Sequence, residues 1–349
     1  MASLYLISNG SPLPMQLYLG QYLSLEKSFN TIEGVRVGSP HSWPFPSWAK
    51  VNNRHKIEYK DQRLKVLNKI RYSFNLFRNL RRFSAEHLLC STPIENIIIC
   101  SLYKRVKPSI RFDIFFADTK SWMYSKLGKR ILSYFMRNAS SIYFTSKGFQ
   151  ANLLDLIEIG NTELIYSPNI PYVEGGINIE NKIVDNQLKL GWIGSIRGDL
   201  GVRTMIKASS FTNVISIFAG SGHLAHEVVS ASASSNDIRY LGPFENSELA
   251  KLYSKINVVF AIYDKSQDKK FHEPCRLFEA ILFHKPILVM KNTHLATIVE
   301  ALKIGEVIDV EDDQDIQDKL HLIKEKINTR QYDLAFNKAR NLALIQSYF

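Results

Sequence analysis

Cysteine is scarce in this chain. Cys90, Cys100 and Cys275 are the three that occur in 349 residues, odd in number and far apart. They suit neither a disulfide framework nor a zinc cluster, and a reducing cytoplasm is the expected setting. Long apolar runs are missing too: none reaches the ~20 residues that span a bilayer. The opening residues, MASLYLISNG, carry no basic leader, so no secretory signal is expected. Low-complexity tracts are absent, and a chain that is 45% hydrophobic and 22% charged reads as globular. No DNA- or RNA-recognition motif occurs, which argues against a nucleic-acid partner.

What is there is an excess of positive charge. The formal net charge is +11. Residues 51–83 hold ten basic groups, Lys65, Lys69, Arg71, Arg78, Arg81 and Arg82 among them, against the acids Glu58 and Asp61. Such a concentration suits an anionic partner, such as phosphates or acidic lipid, or it is the solvated face of an ordinary helix. Within it, Val66, Leu67, Ile70, Phe74, Phe77 and Leu80 recur at three- and four-residue steps, which predicts an amphipathic helix over 63–83 packed by those residues.

Elsewhere strand and helix patterns alternate. SLYLIS (3–8) and GVRV (34–37) read as strands, with a helix-like stretch between them at 15–29. SPHSWPFPSWAK (39–50) has three prolines and reads as loop. NIIIC (96–100), FDIFFA (112–117), SSIYFTS (140–146) and TELIYSPN (162–169) read as strands. A polar stretch with paired glycines, 170–187, breaks the rhythm like a linker. Strands are then expected at 188–195, 214–222, 238–244, 256–264, 285–290 and 306–310, and helices near 200–210, 246–255, 276–283, 311–327 and 331–346. This order predicts two successive α/β domains, each a mainly parallel sheet with helices on both faces.

Open parallel sheets bind ligands beyond the carboxyl ends of their strands. Three loops there stand out. Asn9-Gly10-Ser11 follows the first strand, and a glycine lets backbone N–H groups approach an anion; a plain turn uses the same residues. GWIGSIRGDLG (191–201) sets Arg197 between glycines before a helix, as a phosphate clamp would, or as an exposed arginine in a turn. In EPCRLFEAILF (273–283), Pro274 suits a first helical turn, and Arg276 and Glu279 share a helix face. A carboxylate there can hold a vicinal diol, or the two form a surface ion pair with Glu273 as a cap. DQD (313–315) matches a two-Asp metal pattern, but it opens an acidic helix and reads as capping.

The segments LGWIGSIRGDLGV, FAGSG, IRYLGPF, SELAKLYSKINVVF and RLFEAILFHKPILV, with SPNI and RNASSIYFTSKGFQANL before them, resemble the fourth family of retaining glycosyltransferases in order and spacing. The likeness spans about 140–349 well and the first 110 residues by strand order. It implies the GT-B architecture: two Rossmann-like domains with parallel sheets facing across a cleft. It implies an acceptor-side domain at 1–170, a nucleotide-sugar domain at 171–330 and a C-terminal helix at 331–349 returning towards the first domain. Glu279 would grip the donor ribose and Arg197 the diphosphate, with Gly10, Ser195, Gly222, Arg276 and Leu277 also on the donor. Asp118 would lie near the transferred sugar.

Three departures from that pattern stand in the sequence. Asp199 and Leu200 stand where relatives often have a Lys, so the clamp leans on Arg197 or borrows Arg203. Phe271 stands where a first Glu is usual, and His284 where a Gly is usual. The resemblance implies retaining transfer from a UDP-sugar, or a GDP-sugar, to a glycan or lipid-linked acceptor in cell-surface polysaccharide synthesis. It implies no metal or other cofactor. It also implies a peripheral position on the cytoplasmic face of an anionic membrane, with Trp43, Phe45 and Trp48 as interfacial neighbours of the basic helix. A non-catalytic accessory subunit and a GT-B nucleotide-sugar epimerase are the alternatives.

Overall fold

The computed structural model describes residues 4–9, 29–36, 51–59, 65–83, 85–91, 94–116, 121–171, 183, 186–264 and 270–346. Its contacts divide the chain into two compact units, Met1–Pro168 and Asn169–Phe349. The helix expected from residue 15, the proline-rich loop at 39–50 and most of the linker at 170–187 lie outside the described residues.

The first unit is built on strands β1 (Leu4–Asn9), β2 (Phe29–Arg36), β3 (Val51–Tyr59), β4 (His87–Ser91), β5 (Arg111–Phe116), β6 (Ser141–Phe144) and β7 (Glu163–Tyr166). They form one sheet in the order β3-β2-β1-β4-β5-β6-β7, and every pairing is parallel. Helices α1 (Lys65–Arg82), α2 (Ile94–Val106), α3 (Lys126–Met136) and α4 (Lys147–Leu154) supply crossovers. Strands β4 to β6 are apolar because parallel strands are covered on both faces: Leu88, Leu89, Phe112, Ile114 and Phe144 are fully buried.

Two expectations fail here. Residues 96–100 are helix, not strand: the isoleucine run lies inside α2, which buries Ile97, Cys100 and Tyr103 at three-residue steps. The strand is the preceding HLLCS, 87–91. A short apolar run has no period of its own, so its neighbours decide its state. The packing face of α1 also differs. Tyr72, Leu76 and Leu80 are buried, whereas Ile70 and Phe74 are 60% and 67% exposed. Tyr72 anchors that inner face by donating its hydroxyl to Asn96 Oδ1 at 2.9 Å. Edge strand β3, VNNRHKIEY, is too polar for an apolar-run reading. Its charges suit an edge, which they protect from pairing with another chain.

The second unit holds β8 (Leu188–Ile193), α5 (Asp199–Ala208), β9 (Val214–Ala219), α6 (Ala225–Ser234), β10 (Ile238–Tyr240), α7 (Leu249–Tyr253), β11 (Val258–Ala261) and α8 (Cys275–Leu282). It continues with β12 (Ile287–Met290), α9 (His294–Leu302), β13 (Gly305–Ile308), α10 (Asp313–Asn328) and α11 (Asp333–Gln346). The strand order is β10-β9-β8-β11-β12-β13, again parallel throughout. Trp192, Phe218, Tyr253, Phe260 and Phe283 are its largest buried side chains. A 3-10 turn, Asn246–Glu248, leads into α7, and Glu245 is its N-cap: the Glu245 amide donates to Glu248 Oε2 at 2.9 Å. Helix α11 packs on α8 and α9 of the same unit, with Phe336 stacked 5.3 Å from the His284 ring.

The loops after β8, β9 and β10 are knitted together. Gly194 donates its N–H to Ala219 O at 2.9 Å, and Gly220 donates to Gly242 O at 2.7 Å. This approach leaves no room for a side chain at Gly220, where φ is +136° and a Cβ would lie 1.9 Å from Gly194 O. Gly220→Ala is therefore expected to destabilise the unit by about 3 kcal/mol or more, since backbone must move as well as strain be borne. Gly242→Ala is the control, with φ +80° but open space around its Cβ direction, and it should cost about 1–2 kcal/mol. Urea unfolding of both variants measures the difference.

Candidate functional site

In the second unit β8 and β11 are neighbours, and the strand order runs outward from them in both directions. That is a topological switch point, where loops diverge and leave a crevice at the carboxyl edge. The described segments that meet there are 194–198, after β8, and 262–264 and 271–274, which lie between β11 and α8. Pro274 ends the second loop as the N-cap of α8, with φ −75° and ψ 156°, so Arg276 and Glu279 fall in the first turns of that helix.

Arg276 and Glu279 are not a surface ion pair. Arg276 is 7% exposed. Its Nε donates to Ile193 O at 3.0 Å, and its Cζ lies 4.0 Å from the Trp192 ring centroid and 5.7 Å from that of Tyr263. Its Nη1 is buried with no hydrogen-bond partner among the described residues. A guanidinium carries five donors in a rigid fork, so a buried, unpaired Nη1 is a donor waiting for an acceptor. Glu279 is half-buried. Tyr253 donates its hydroxyl to Glu279 Oε2 at 2.6 Å. Burial pushes the Glu279 carboxyl up from its ordinary range, opposed by the Tyr253 hydrogen bond and the Arg276 charge.

Arg197 is exposed and makes no hydrogen bond or ion pair among the described residues. It stands just before α5, whose N-cap is Gly198. The amino end of α5 is already in use: Asp264, three residues past β11, accepts the Leu200 N–H on Oδ1 at 3.1 Å. Arg203 lies 2.9 Å from Asp199 and 3.8 Å from Glu227, in exposed ion pairs. Ser195 is exposed, and its carbonyl accepts the Trp192 indole N–H at 3.1 Å. Gly222 packs against the same loop: a Cβ there would lie 2.1 Å from Ile196 O. The Leu277 side chain points into the core at 2% exposure, and its amide donates to Pro274 O, so that residue presents no side chain to the crevice.

Glu273 is no cap. It is 2% exposed and its Oε1 lies 2.9 Å from His294 Nε2, while Asn169 Nδ2 donates to its carbonyl at 3.1 Å. The acids at 313–315 belong to helix capping. Asp312 accepts the N–H groups of Gln314 and Asp315, and Asp315 Oδ2 accepts that of Asp309 at 2.7 Å. Gly10 and Asp118 lie outside the described residues. Asp113, near Asp118 in sequence, sits at the amino end of β5, fully buried against His87 Nε2 at 2.7 Å and Arg111 Nε at 2.9 Å. That is the end of the strand opposite the one where ligands bind. A cavity of about 300 Å³ opens at the carboxyl ends of β11, β12 and β13, lined by Tyr263, Asp264, Lys270, Lys291 and Asp309. Neither Arg197 nor Glu279 lines it.

Sequence reasoning missed Tyr253, Trp192, Tyr263 and Asp264. Each acts across the fold; Tyr253, for example, reaches Glu279 26 positions away. The signal available was positional, since Asp264 follows a strand on the ligand-binding edge.

No family model and no curated protein matches the chain. Solved structures do. The chain is similar to Anabaena HepE in complex with UDP, at 13% identity and TM-score 0.63, covering 100% of this chain and 95% of that one. It is similar to a glycosyltransferase from Rickettsia africae, at 11% identity and TM-score 0.68, covering 99% and 94%. It is also similar to the UDP-GlcNAc 2-epimerase of Methanocaldococcus jannaschii, at 10% identity and TM-score 0.56, covering 92% of each. These likenesses establish the GT-B fold.

A buried carboxylate held above its ordinary titration range costs the fold stability once it ionises, because the unfolded chain ionises it more readily. That cost is absent below the unfolded value and grows as pH rises through the raised one. Glu279→Gln keeps an acceptor for Tyr253 and removes the charge. It is expected to raise Tm at neutral pH by about 2–4 °C, roughly 1 kcal/mol for a unit of this size. The gain should shrink as pH falls, which thermal melts from acid to neutral pH will show.

Proposed function

We propose that the chain is a retaining, hexosyltransferase-like glycosyltransferase that uses a nucleotide-diphosphate sugar, a UDP-sugar before a GDP-sugar, and needs no metal. Its acceptor is a glycan or lipid-linked glycan of cell-surface polysaccharide synthesis. The observation that carries this reading is the pairing at the head of α8: a buried Arg276 with an unpaired donor beside a Glu279 carboxylate that Tyr253 holds by one oxygen. A ribose diol and a diphosphate are what that pair suits, with Arg197 as the outer cation.

Sugar transfer separates charge. The bond from the anomeric carbon to the diphosphate oxygen breaks as the acceptor oxygen attacks from the same face, and the acceptor proton passes to an oxygen of the leaving diphosphate. No acid–base pair of carboxylates is needed. The protein's task is to stabilise the growing negative charge with preorganised donors. Two donors at about 3 kcal/mol each supply about four orders of magnitude in rate. With the Leu200 N–H taken by Asp264, Arg197 and Arg276 carry more of that load than the α5 amides do.

A second reading is a GT-B sugar epimerase, favoured by the likeness to the archaeal epimerase. A third is a non-catalytic accessory subunit, favoured by Asp264 lying where a phosphate would compete for the same N–H. Incubation with a panel of nucleotide sugars separates the three. Released nucleotide supports the transferase, an epimerised donor supports the epimerase, and an untouched panel with nucleotide bound supports the accessory role. Glu279→Ala should abolish release of the nucleotide with the fold intact. Arg197→Ala should slow it about 100-fold or more and weaken UDP binding by calorimetry; unchanged binding would refute that role.

Helix α1 carries the proposal of a peripheral seat on the cytoplasmic face of a membrane. Arg71, Arg78, Arg81 and Arg82 are exposed on it, and so are Ile70 and Phe74; the side chains of Lys65 and Lys69, and Trp43, Phe45 and Trp48, lie outside the described residues. Exposed apolar groups among cations suit the boundary between headgroups and acyl chains. No helix among the described residues is long and apolar enough to cross a bilayer. In flotation with anionic vesicles the protein should rise, and neutral vesicles or high salt should leave it behind. Ile70→Ser with Phe74→Ser should reduce the floated fraction severalfold. Flotation indifferent to lipid charge counts against this seat.

A further inference from the structure

Tyr253 ends the short helix α7 and is 1% exposed. Its ring stacks on Phe283 with centroids 4.4 Å apart and planes 13° from parallel. That contact fixes the direction of the phenol, whose hydroxyl donates to Glu279 Oε2 at 2.6 Å. No described residue donates to Glu279 Oε1. The carboxylate is thus divided: one oxygen is held by the protein and the other has no hydrogen-bond partner among the described residues.

A carboxylate on a flexible Glu side chain turns freely about its last bond, and a turned carboxylate cannot meet two hydroxyls side by side. Holding a group in its working orientation before the ligand arrives saves the cost of ordering it afterwards. We infer that Tyr253 is a positioning residue, which fixes the Glu279 carboxylate in the orientation that accepts the paired hydroxyls of the donor ribose. This inference rests on the reading of Glu279 as the ribose carboxylate.

The charge balance agrees. The groups that face Glu279 are Tyr253 from α7, Arg276 and Cys275 from its own helix, and Tyr263 from the loop after β11. Burial raises the Glu279 carboxyl, while the phenol and Arg276 pull it back. Loss of the phenol therefore raises it further, and the ionised acceptor disappears at a higher pH.

The test is a mutant cycle on the full chain, read by calorimetry with UDP and GDP, using whichever binds more tightly. Tyr253→Phe keeps the ring stack and removes only the hydroxyl. It should weaken binding about tenfold in the wild-type background and less than twofold when Glu279→Gln is already present. The pH below which binding fails should move upward in Tyr253→Phe, a shift that a purely structural role would not produce. If neither nucleotide binds, or Glu279→Gln binds as tightly as wild type, the reading of the site itself falls. If Glu279→Gln weakens binding and Tyr253→Phe does not, or weakens it equally in both backgrounds, the positioning role alone falls. Should Tyr253→Phe fail to fold, 3-fluorotyrosine at position 253 gives a fluorine resonance. It should shift on adding the nucleotide and with Glu279→Gln, and an unmoved resonance overturns the proposal.

Discussion

A guanidinium taken out of water has to be resolvated by the protein, and the site at the carboxyl edge of the second unit is organised around that demand. Arg276 meets it with three partners of different kinds. The Trp192 face supplies a cation–π contact worth about 2 kcal/mol when desolvated, the Ile193 carbonyl takes Nε, and Glu279 supplies opposite charge from the next turn. Each partner then becomes fixed in turn. Trp192 is held by its indole hydrogen bond to the Ser195 carbonyl, which sets the course of the loop after β8. Glu279 is held by Tyr253. Nη1 has no hydrogen-bond partner among the described residues. A buried group left unsatisfied costs about 1–3 kcal/mol, and a site that binds an anion recovers that cost on binding.

The same edge carries a local opposition of charge. Asp264 places a carboxylate on the amino end of α5, where the helix favours negative charge. It stabilises that end of the helix, and any phosphate there would compete for the same N–H. Arg197, exposed and unengaged among the described residues, directly precedes Gly198, where a Cβ would lie 3.5 Å from Asp264 Oδ2. The departure from a Lys to Leu200 and the presence of Asp264 thus bear on one place. On the proposed reading of this edge as a diphosphate site, both leave the anion to the two arginines rather than to α5.

Much of this fold was legible because parallel strands buried on both faces leave apolar runs with turn residues between them. Strands β5, β6, β8, β9, β11, β12 and β13 all declared themselves so. Strand β3 did not, because an edge strand pairs on one side only and can be as polar as VNNRHKIEY. Residues 96–100 misled for the converse reason: an isoleucine run without alternation fits a strand or a buried helix equally, and its place between β4 and β5 made it helix. Helix α1 was legible in position but not in rotation. Phe74 and Phe77 both look like core, yet Phe74 is exposed, while Phe77 is half-buried edge-on against Tyr103 beside the inward stripe of Tyr72, Leu76 and Leu80. At the site, Arg276 and Glu279 were visible in one short segment. Tyr253 was not, because nothing in a sequence says which of sixteen tyrosines will end beneath a carboxylate.

His284 shows how a side chain can be absorbed at a helix end where glycine is easiest. It follows α8 with φ +50°, the left-handed conformation that glycine adopts most easily. The amide of His284 returns to Ile281 O at 3.4 Å and that of Lys285 to Ala280 O at 2.9 Å, which closes the helix in the usual double turn. A side chain in that conformation costs about 1–2 kcal/mol. The compensation lies in the ring, which is 8% exposed and stacks on Phe336 of α11. Burial and the nearby Arg340 charge push its titration down, so the neutral imidazole that stacks is the form present at neutral pH. The helix that carries Arg276 and Glu279 at its head is therefore anchored at its tail to α11. Backbone strain at one residue is exchanged for a fixed α8, which holds Arg276 and Glu279 in place at its head.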